Sequence, residues 1–432
     1  MQLRSGWLFG ILVLAFVLRM VAAMALQWQL DNVWKRLDLI DGDASGYLLL
    51  ADRMAKGESF EIYTPPRRVL RMPGFPAFLA LVMKTWSSDL LQLRLSLCVV
   101  GTGACGLVYW LGRDVVGPEA GLTAAALGAV SPVMIGFTPL ILSETMFAAT
   151  LVASLIPLAK LFRRHLAARS DASDAALRDG TCAFVAGLLI GVACYVRPSW
   201  LLAAPMYAAL LFLVSSHRLR AALHGALLLA GVFLCLLPWG LRNQSVTGHF
   251  VLTTLWAGPS LYDGLHPHAT GDSEMSWFDR DNKLATMSEY DVNRYYSDKA
   301  WQFVRENPGR TFELALIKLG RFWKPWPSAE QFNHWSARLT VATWFIPLLI
   351  LSAIGTWKLR TNWTALLLCV GPILYFSALH TLFVSSLRYR LPAEYPLLIP
   401  AAVGLLACVE WQRTRNRVNS KSTHPIAAGP RG

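Results

Sequence analysis

Trp7-Leu8-Phe9-Gly10-Ile11-Leu12-Val13-Leu14-Ala15-Phe16-Val17-Leu18-Arg19-Met20-Val21-Ala22-Ala23-Met24-Ala25-Leu26-Gln27 is an apolar run broken by one charge, Arg19. About 20 such residues make a helix long enough to cross the hydrocarbon layer of a bilayer. Similar runs recur near 90–112, 119–138, 140–159, 181–196, 199–215, 221–240, 340–357, 362–384 and 392–410. The expectation is an all-α polytopic membrane protein with about ten transmembrane helices, since helices and closed barrels alone satisfy their backbone in lipid. One more apolar stretch, Pro73 to Trp86, opens Pro73-Gly74-Phe75-Pro76 and is short for a span. It reads as an interfacial or re-entrant helix, with an eleventh crossing as the alternative.

Composition agrees. Of 432 residues, 54% are hydrophobic and 16% charged, against about 25% charged in soluble chains. An ordinary cytosolic enzyme, a disulfide scaffold and a disordered chain are excluded. The 40 Lys and Arg against 27 Asp and Glu give a net charge of +13, which in a soluble protein would point to nucleic acid. Position decides otherwise. With Arg4 cytoplasmic and 73–86 not crossing, the cytoplasmic side collects Arg113, Lys160, Arg163, Arg164, Arg218, Arg220, Lys358, Arg360 and the basic tail. That is the positive-inside pattern, and no nucleic-acid partner is expected. Two long outer segments follow, about 28–89 and 241–339. Residues 1–411 read as one transmembrane domain and 412–432 as a disordered cytoplasmic tail. Ala22-Ala23-Met24-Ala25 resembles a leader cleavage site, but the apolar run is long for a leader and reads as a retained span. The seven cysteines all lie in apolar stretches without a C-x-x-C pair and read as buried thiols.

In the first outer loop, Tyr47, Leu50, Ala51 and Met54 recur at three and four residues. They predict an amphipathic helix over about 44–56, with Asp43 at its N-cap or first turn and Gly57 as its stop. Asp43 therefore reads as a cap or as a proton acceptor, and the two are compatible. Arg67, Arg68 and Arg71 follow. Guanidinium groups beside an interfacial helix suit a phosphate or simply anionic lipid.

These motifs, taken in order, resemble a known family. Gly42-Asp43-Ala44-x-x-Tyr47-Leu48-x-Leu50-Ala51 precedes Arg71-x-Pro73-Gly74-Phe75-Pro76. Leu142-Ser143-Glu144, Val196-Arg197-Pro198, Pro238-Trp239-x-Leu241-Arg242-Asn243, Arg305-Glu306-Asn307-Pro308 and Leu387-Arg388-Tyr389-Arg390-Leu391-Pro392 come later. The chain over about 5–410 thus resembles the bacterial GT-C membrane glycosyltransferases: glycosyltransferase family 39, protein O-mannosyltransferases and lipid A aminoarabinose transferases. The resemblance implies a GT-C fold with two long outer loops carrying interfacial helices. It also implies transfer of a sugar from a polyprenyl-phosphate donor to a lipid, glycan or protein acceptor, on the outer face of the inner (plasma) membrane and with inversion.

By that resemblance the catalytic base lies in the first outer loop, at Asp43 or, second, at Asp41. Phosphate- or donor-binding candidates are Arg67, Arg68, Arg71, Arg388 and Arg390, with Arg197 behind them and Glu144 beside them. Each has a plainer reading, as interfacial snorkelling or as a salt bridge. Arg19 reads as snorkelling or as paired with an acid such as Asp41. No cofactor is expected: Asp41-Gly42-Asp43 could be taken for a metal motif, and His266-x-His268 is a weak metal signal, but a divalent metal is not favoured. The second loop also offers Asp263, and its Trp256, Tyr262, Trp277, Trp323, Trp326 and Trp335 read as an interfacial belt or as sugar-stacking rings. A transporter or flippase of lipid-linked saccharides should show inverted repeats and midplane charges, and none is visible. A polysaccharide polymerase or ligase is the remaining alternative.

Overall fold

The computed structural model describes residues 2–40, 42–166, 173–327, 332 and 334–422. Among these residues the backbone is helices and turns, apart from one isolated bridge between Ile62 and Arg67. The helices in chain order are α1 (Gln2–Gln29), α2 (Asp43–Lys56), α3 (Gly74–Thr85), α4 (Leu90–Val115), α5 (Pro118–Val130), α6 (Pro132–Phe137), α7 (Glu144–Leu166), α8 (Ser173–Val196) and α9 (Ala203–Val214). They continue with α10 (Arg218–Thr247), α11 (Ala257–Gly264), α12 (Ser276–Asp281), α13 (Glu289–Glu306), α14 (Pro308–Trp323), α15 (Trp335–Lys358), α16 (Trp363–Ala365), α17 (Gly371–Leu379) and α18 (Leu387–Ser422).

Seven of the described helices are long and apolar enough to cross a membrane: α1, α4, α7, α8, α10, α15 and α18. The chain is a multi-pass membrane protein. The other three expected spans are shorter or interrupted. The 199–215 stretch gives the twelve-residue α9, and 362–384 is split by a π turn at Leu366–Val370. The 119–138 stretch breaks between α5 and α6 at Ser131-Pro132, where Ser131 is extended (φ −63°, ψ 115°). Proline has no N–H, so the Gly128 carbonyl loses its helical donor. The fully buried Arg19 of α1 takes over, donating to Gly128 O at 3.0 Å and Ala129 O at 3.4 Å. Arg19 is thus buried rather than snorkelling, and among the described residues it caps the negative end of a broken helix; the expected pairing with Asp41 falls outside them.

The most buried spans are α7 and α18, and α1 and α15 the most exposed. Exposed apolar side chains such as Phe9, Val99, Leu213, Leu234 and Ile350 form a surface suited to hydrocarbon rather than water. Close crossings use small residues, as membrane helix pairs do: a Cβ at Gly355 would collide with the Pro400 carbonyl of α18. All seven cysteines are free. Helix α18 continues through Ser422, so the coil expected from 412 is helical at first; residues 423–432 lie outside the described ones.

The 73–86 stretch is the twelve-residue α3, packed against α2. The two long loops are folded and meet at one end of the bundle. The Arg242 guanidinium donates to the carbonyls of Arg68 (2.7 Å) and Phe60 (3.0 Å). The Glu289 carboxylate accepts from the backbone N–H groups of Arg68 and Val69, and Leu255 N–H donates to Val69 O at 2.8 Å.

Candidate active site

The site is built from the first loop upward. Helix α2 buries Ala44, Tyr47, Leu50 and Ala51 on one face, worth about 1.5–3 kcal/mol for each large side chain. Gly57 ends it at φ +77°, in the left-handed region that glycine enters without strain. At the other end Gly42 holds the N-cap position at φ +82° and makes no side-chain cap. Asp43 is the first helical residue, and among the described residues its carboxylate caps no backbone N–H. Oδ1 accepts from Arg71 Nη2 at 2.6 Å and Oδ2 from Arg388 Nη1 at 2.6 Å.

Arg388, at the start of α18, also donates through Nε to Glu144, the first residue of α7. Glu144 is 1% exposed and accepts in addition from Arg197 Nη1 at 2.6 Å. Arg197 precedes Pro198 and is extended (φ −146°, ψ 122°), as residues before proline prefer. That conformation ends α8 and frees the guanidinium to turn toward α7. The α3 N-terminus is held nearby because Gly74 lets it approach Tyr195; a Cβ there would meet the Tyr195 carbonyl at 2.6 Å. The result is a knot of two carboxylates and three arginines from α2, α7, α18, the residue after α8 and the segment before α3. Rings pack on its cations: Arg71 lies 4.5 Å from the Tyr47 ring centre and Arg197 5.4 Å from that of Tyr389. Burial by itself would raise the Asp43 carboxyl, but Arg388 and Arg71 outweigh it and hold the group well below the usual carboxylate range.

A cavity of about 1740 Å³ opens onto this knot. Asp43, Arg71, Arg197, Arg388 and Tyr389 line it. Apolar lining comes from α6, α15 and α17 through Val133, Phe137, Val341, Phe376 and Leu379. Polar and aromatic lining comes from the loops through Tyr63, Arg67, Trp256, Asp263, Asp272 and Phe278.

The structure therefore brings together Asp43, Arg71, Arg388 and Glu144, joined by Arg197. Arg67 lines the same cavity but makes no ion pair with the knot. Arg68 turns away to Glu61 at 3.0 Å. Arg390 is fully buried on another face of α18, bound to Glu394 at 2.6 Å and to the Phe322 carbonyl at 2.7 Å; it does not line the cavity. Asp41 lies outside the described residues. In the second loop, Asp263 accepts from Ser273 Oγ at 2.7 Å and Glu274 N–H at 3.1 Å, and His266 Nδ1 accepts from the His268 N–H. Of the loop tryptophans, Trp256 reaches the cavity, whereas Trp323 donates to Ser377 Oγ at 3.0 Å and Trp335 is exposed. Among the described residues no group of three or more His, Cys, Asp or Glu is arranged to hold a metal.

Sequence reasoning missed His380. It lines the cavity, stacks on Tyr389 at 4.7 Å and is tied through Nδ1 to the Val384 carbonyl at 2.7 Å. A lone histidine at the end of an apolar stretch gave no signal.

No family model and no curated protein matches the chain. Solved structures do. The archaeal oligosaccharyltransferase AglB from Archaeoglobus fulgidus, in complex with an inhibitory peptide and a dolichol-phosphate, is 14% identical with a TM-score of 0.56, covering 99% of this chain and 52% of its own. The apo form of the Archaeoglobus fulgidus oligosaccharyltransferase is 15% identical with a TM-score of 0.60, covering 98% of this chain and 53% of its own. ArnT from Cupriavidus metallidurans, bound to undecaprenyl phosphate, is 15% identical with a TM-score of 0.44 over 93% of this chain and 77% of its own. The chain spans about half the length of the oligosaccharyltransferases it matches. At these identities the likeness is one of architecture, and it extends over nearly the whole chain: this is a multi-pass membrane protein with the GT-C fold.

Proposed function

We propose that the protein is a glycosyltransferase that moves a sugar from a polyprenyl-phosphate carrier to an acceptor hydroxyl or amine on the outer face of the membrane. The observation that carries the reading is the Asp43–Arg71–Arg388 knot, set where an apolar cavity wall meets a polar one. The apolar lining suits an isoprenoid chain, and the arginines suit the phosphate at its end. The dolichol-phosphate in the oligosaccharyltransferase of the same fold agrees with that division.

The chemistry follows from the groups present. The acceptor oxygen or nitrogen attacks the anomeric carbon while Asp43 accepts its proton, a contribution of about 10²–10⁴ in rate. The bond from that carbon to the phosphate oxygen breaks, and its electron pair leaves on the lipid phosphate. Arg71 and Arg388 neutralise that charge. One displacement inverts the anomeric centre. Arg71 and Arg388 engage both Asp43 oxygens, so in this reading the donor phosphate draws the arginines away before Asp43 acts as a base. Glu144 and Arg197 keep Arg388 oriented during that exchange. The outer side is assigned from the charge asymmetry of the loops.

The test is mass spectrometry of glycolipids and glycoproteins from a deletion strain complemented with wild type or with Asp43→Asn. A glycan restored by wild type alone, at equal protein levels, supports the reading. Full restoration by Asp43→Asn, with loss in Asp41→Asn, moves the base to Asp41; restoration by both removes the mechanism.

A further inference from the structure

Arg67 is the cavity's other cation, and its surroundings differ from those of Arg71 and Arg388. It ends a tight turn, Ile62-Tyr63-Thr64-Pro65-Pro66-Arg67, closed by reciprocal backbone bonds between Ile62 and Arg67 (3.1 and 2.8 Å). Tyr63 within the turn has φ +69°, a strained value for a residue with a bulky side chain. The turn brings the guanidinium among three rings: Tyr63 at 4.9 Å, Phe278 at 4.9 Å and Trp256 at 5.3 Å. Two of these rings belong to the second long loop, and all three line the cavity. Among the described residues no carboxylate forms an ion pair with Arg67, and its buried Nε has no hydrogen-bond partner. Rings attract the cation but accept none of its N–H groups as an oxyanion would. An arginine held among rings with its buried Nε–H unpartnered has the form of an oxyanion receptor.

We infer that the Arg67 cage binds an oxyanion, phosphate or carboxylate, carried by the acceptor, so that the protein glycosylates an anionic acceptor. This rests on the transferase reading above and gives it a substrate class. Donor phosphate is assigned to Arg71 and Arg388, which touch Asp43; Arg67 touches neither. The rings beside Arg67 offer stacking faces for a sugar that bears the anion. Asp279 lines the same cavity and is the nearby carboxylate whose charge opposes such a ligand; Glu289 faces the Arg67 side too but is occupied by backbone N–H groups.

The experiment uses the purified full chain in nanodiscs, first saturated with undecaprenyl phosphate so that the Asp43 centre is filled. Glucose 6-phosphate, glucuronate and glucose are then titrated by isothermal calorimetry. Both anionic sugars are expected to bind, and glucose to bind at least about tenfold more weakly. Arg67→Ala should lose that preference yet retain undecaprenyl phosphate, which also shows that the variant is folded. Asp279→Asn should tighten the anionic sugars. Equal binding of glucose and glucose 6-phosphate by wild type would overturn the inference, as would loss of undecaprenyl phosphate rather than of the anionic sugars in Arg67→Ala. Failure of wild type to bind undecaprenyl phosphate at all would strike the transferase reading instead.

Discussion

Arg388 and Asp43 are 345 residues apart in sequence and 2.6 Å apart in space. Their contact closes the chain on itself: the first long loop is locked to the start of the last long helix. Because Arg388 also holds the buried Glu144, one guanidinium links three parts of the fold. Breaking a buried pair by removing one partner costs about 3–5 kcal/mol. Arg388→Ala should therefore lower the thermal midpoint in nanodiscs measurably. Arg388→Lys keeps the charge but loses the fork and should keep most of the stability. If Arg388 also neutralises the leaving phosphate, transfer by Arg388→Lys should fall about 10²-fold or more. Wild-type transfer rates in Arg388→Lys would remove Arg388 from the chemistry.

The state of Asp43 gives a pH prediction with a definite sign. Its folded value is depressed by Arg388 and Arg71 against the opposing effect of burial. A depressed carboxylate contributes stability above its unfolded value of about 3.9, and that stability is lost as pH falls through the folded value. Stability from this contact should thus stay flat from pH 8 to 5 and decline only below about pH 4. Kinetics should separate the free and bound enzyme. The acid limb of kcat/KM reports the free enzyme and should lie below pH 4; that of kcat reports the complex and should lie higher, because bound donor phosphate takes the arginines from Asp43. Coincident limbs would mean that the arginines do not exchange.

The clamp between the two loops makes a third prediction. Arg242 donates to two first-loop carbonyls and is braced by Trp239 at 4.8 Å. Arg242→Ala leaves both carbonyls without that donor, at about 1–3 kcal/mol, and frees the segment that carries Arg67 and Arg71. Limited proteolysis should then cut between Ser59 and Arg68 faster than in wild type, while the spans stay protected. An unchanged cleavage rate would show that Glu289 and Leu255 suffice to hold the segment.

Much of this arrangement was written in local sequence, and the remainder needed the third dimension. The α2 register was legible from Tyr47, Leu50 and Ala51, because burial on one face repeats at helical spacing. The interruption of 119–138 was legible too, in Pro132, although hydropathy alone passes over it. Arg388 and Arg390 looked equivalent, but successive helical residues turn by about 100°. Two residues apart on α18 they cannot face the same side, and only Arg388 meets the cavity. Arg68 and Arg71 differ for the same kind of reason: the turn that ends at Arg67 sends Arg68 to Glu61 and Arg71 to Asp43. The burial of Arg19 was hidden because its described partners are mostly carbonyls, which every residue has and no sequence pattern marks.

Orientation is the last and most direct test. Ser59 lies exposed after α2, beside the site, and Ser216 lies exposed between α9 and α10. Those places are on opposite sides of the membrane if the basic loops around Arg164 and Arg218 are cytoplasmic. With the native cysteines buried or half-buried, an engineered thiol should dominate labelling. Ser59→Cys in intact cells with a permeable outer envelope should react with an impermeant maleimide, and Ser216→Cys should react only after lysis. The reverse pattern would put Asp43 on the cytoplasmic side, where a soluble nucleotide sugar could serve as donor. It would leave the fold untouched but remove the reason for a carrier that presents its sugar outside.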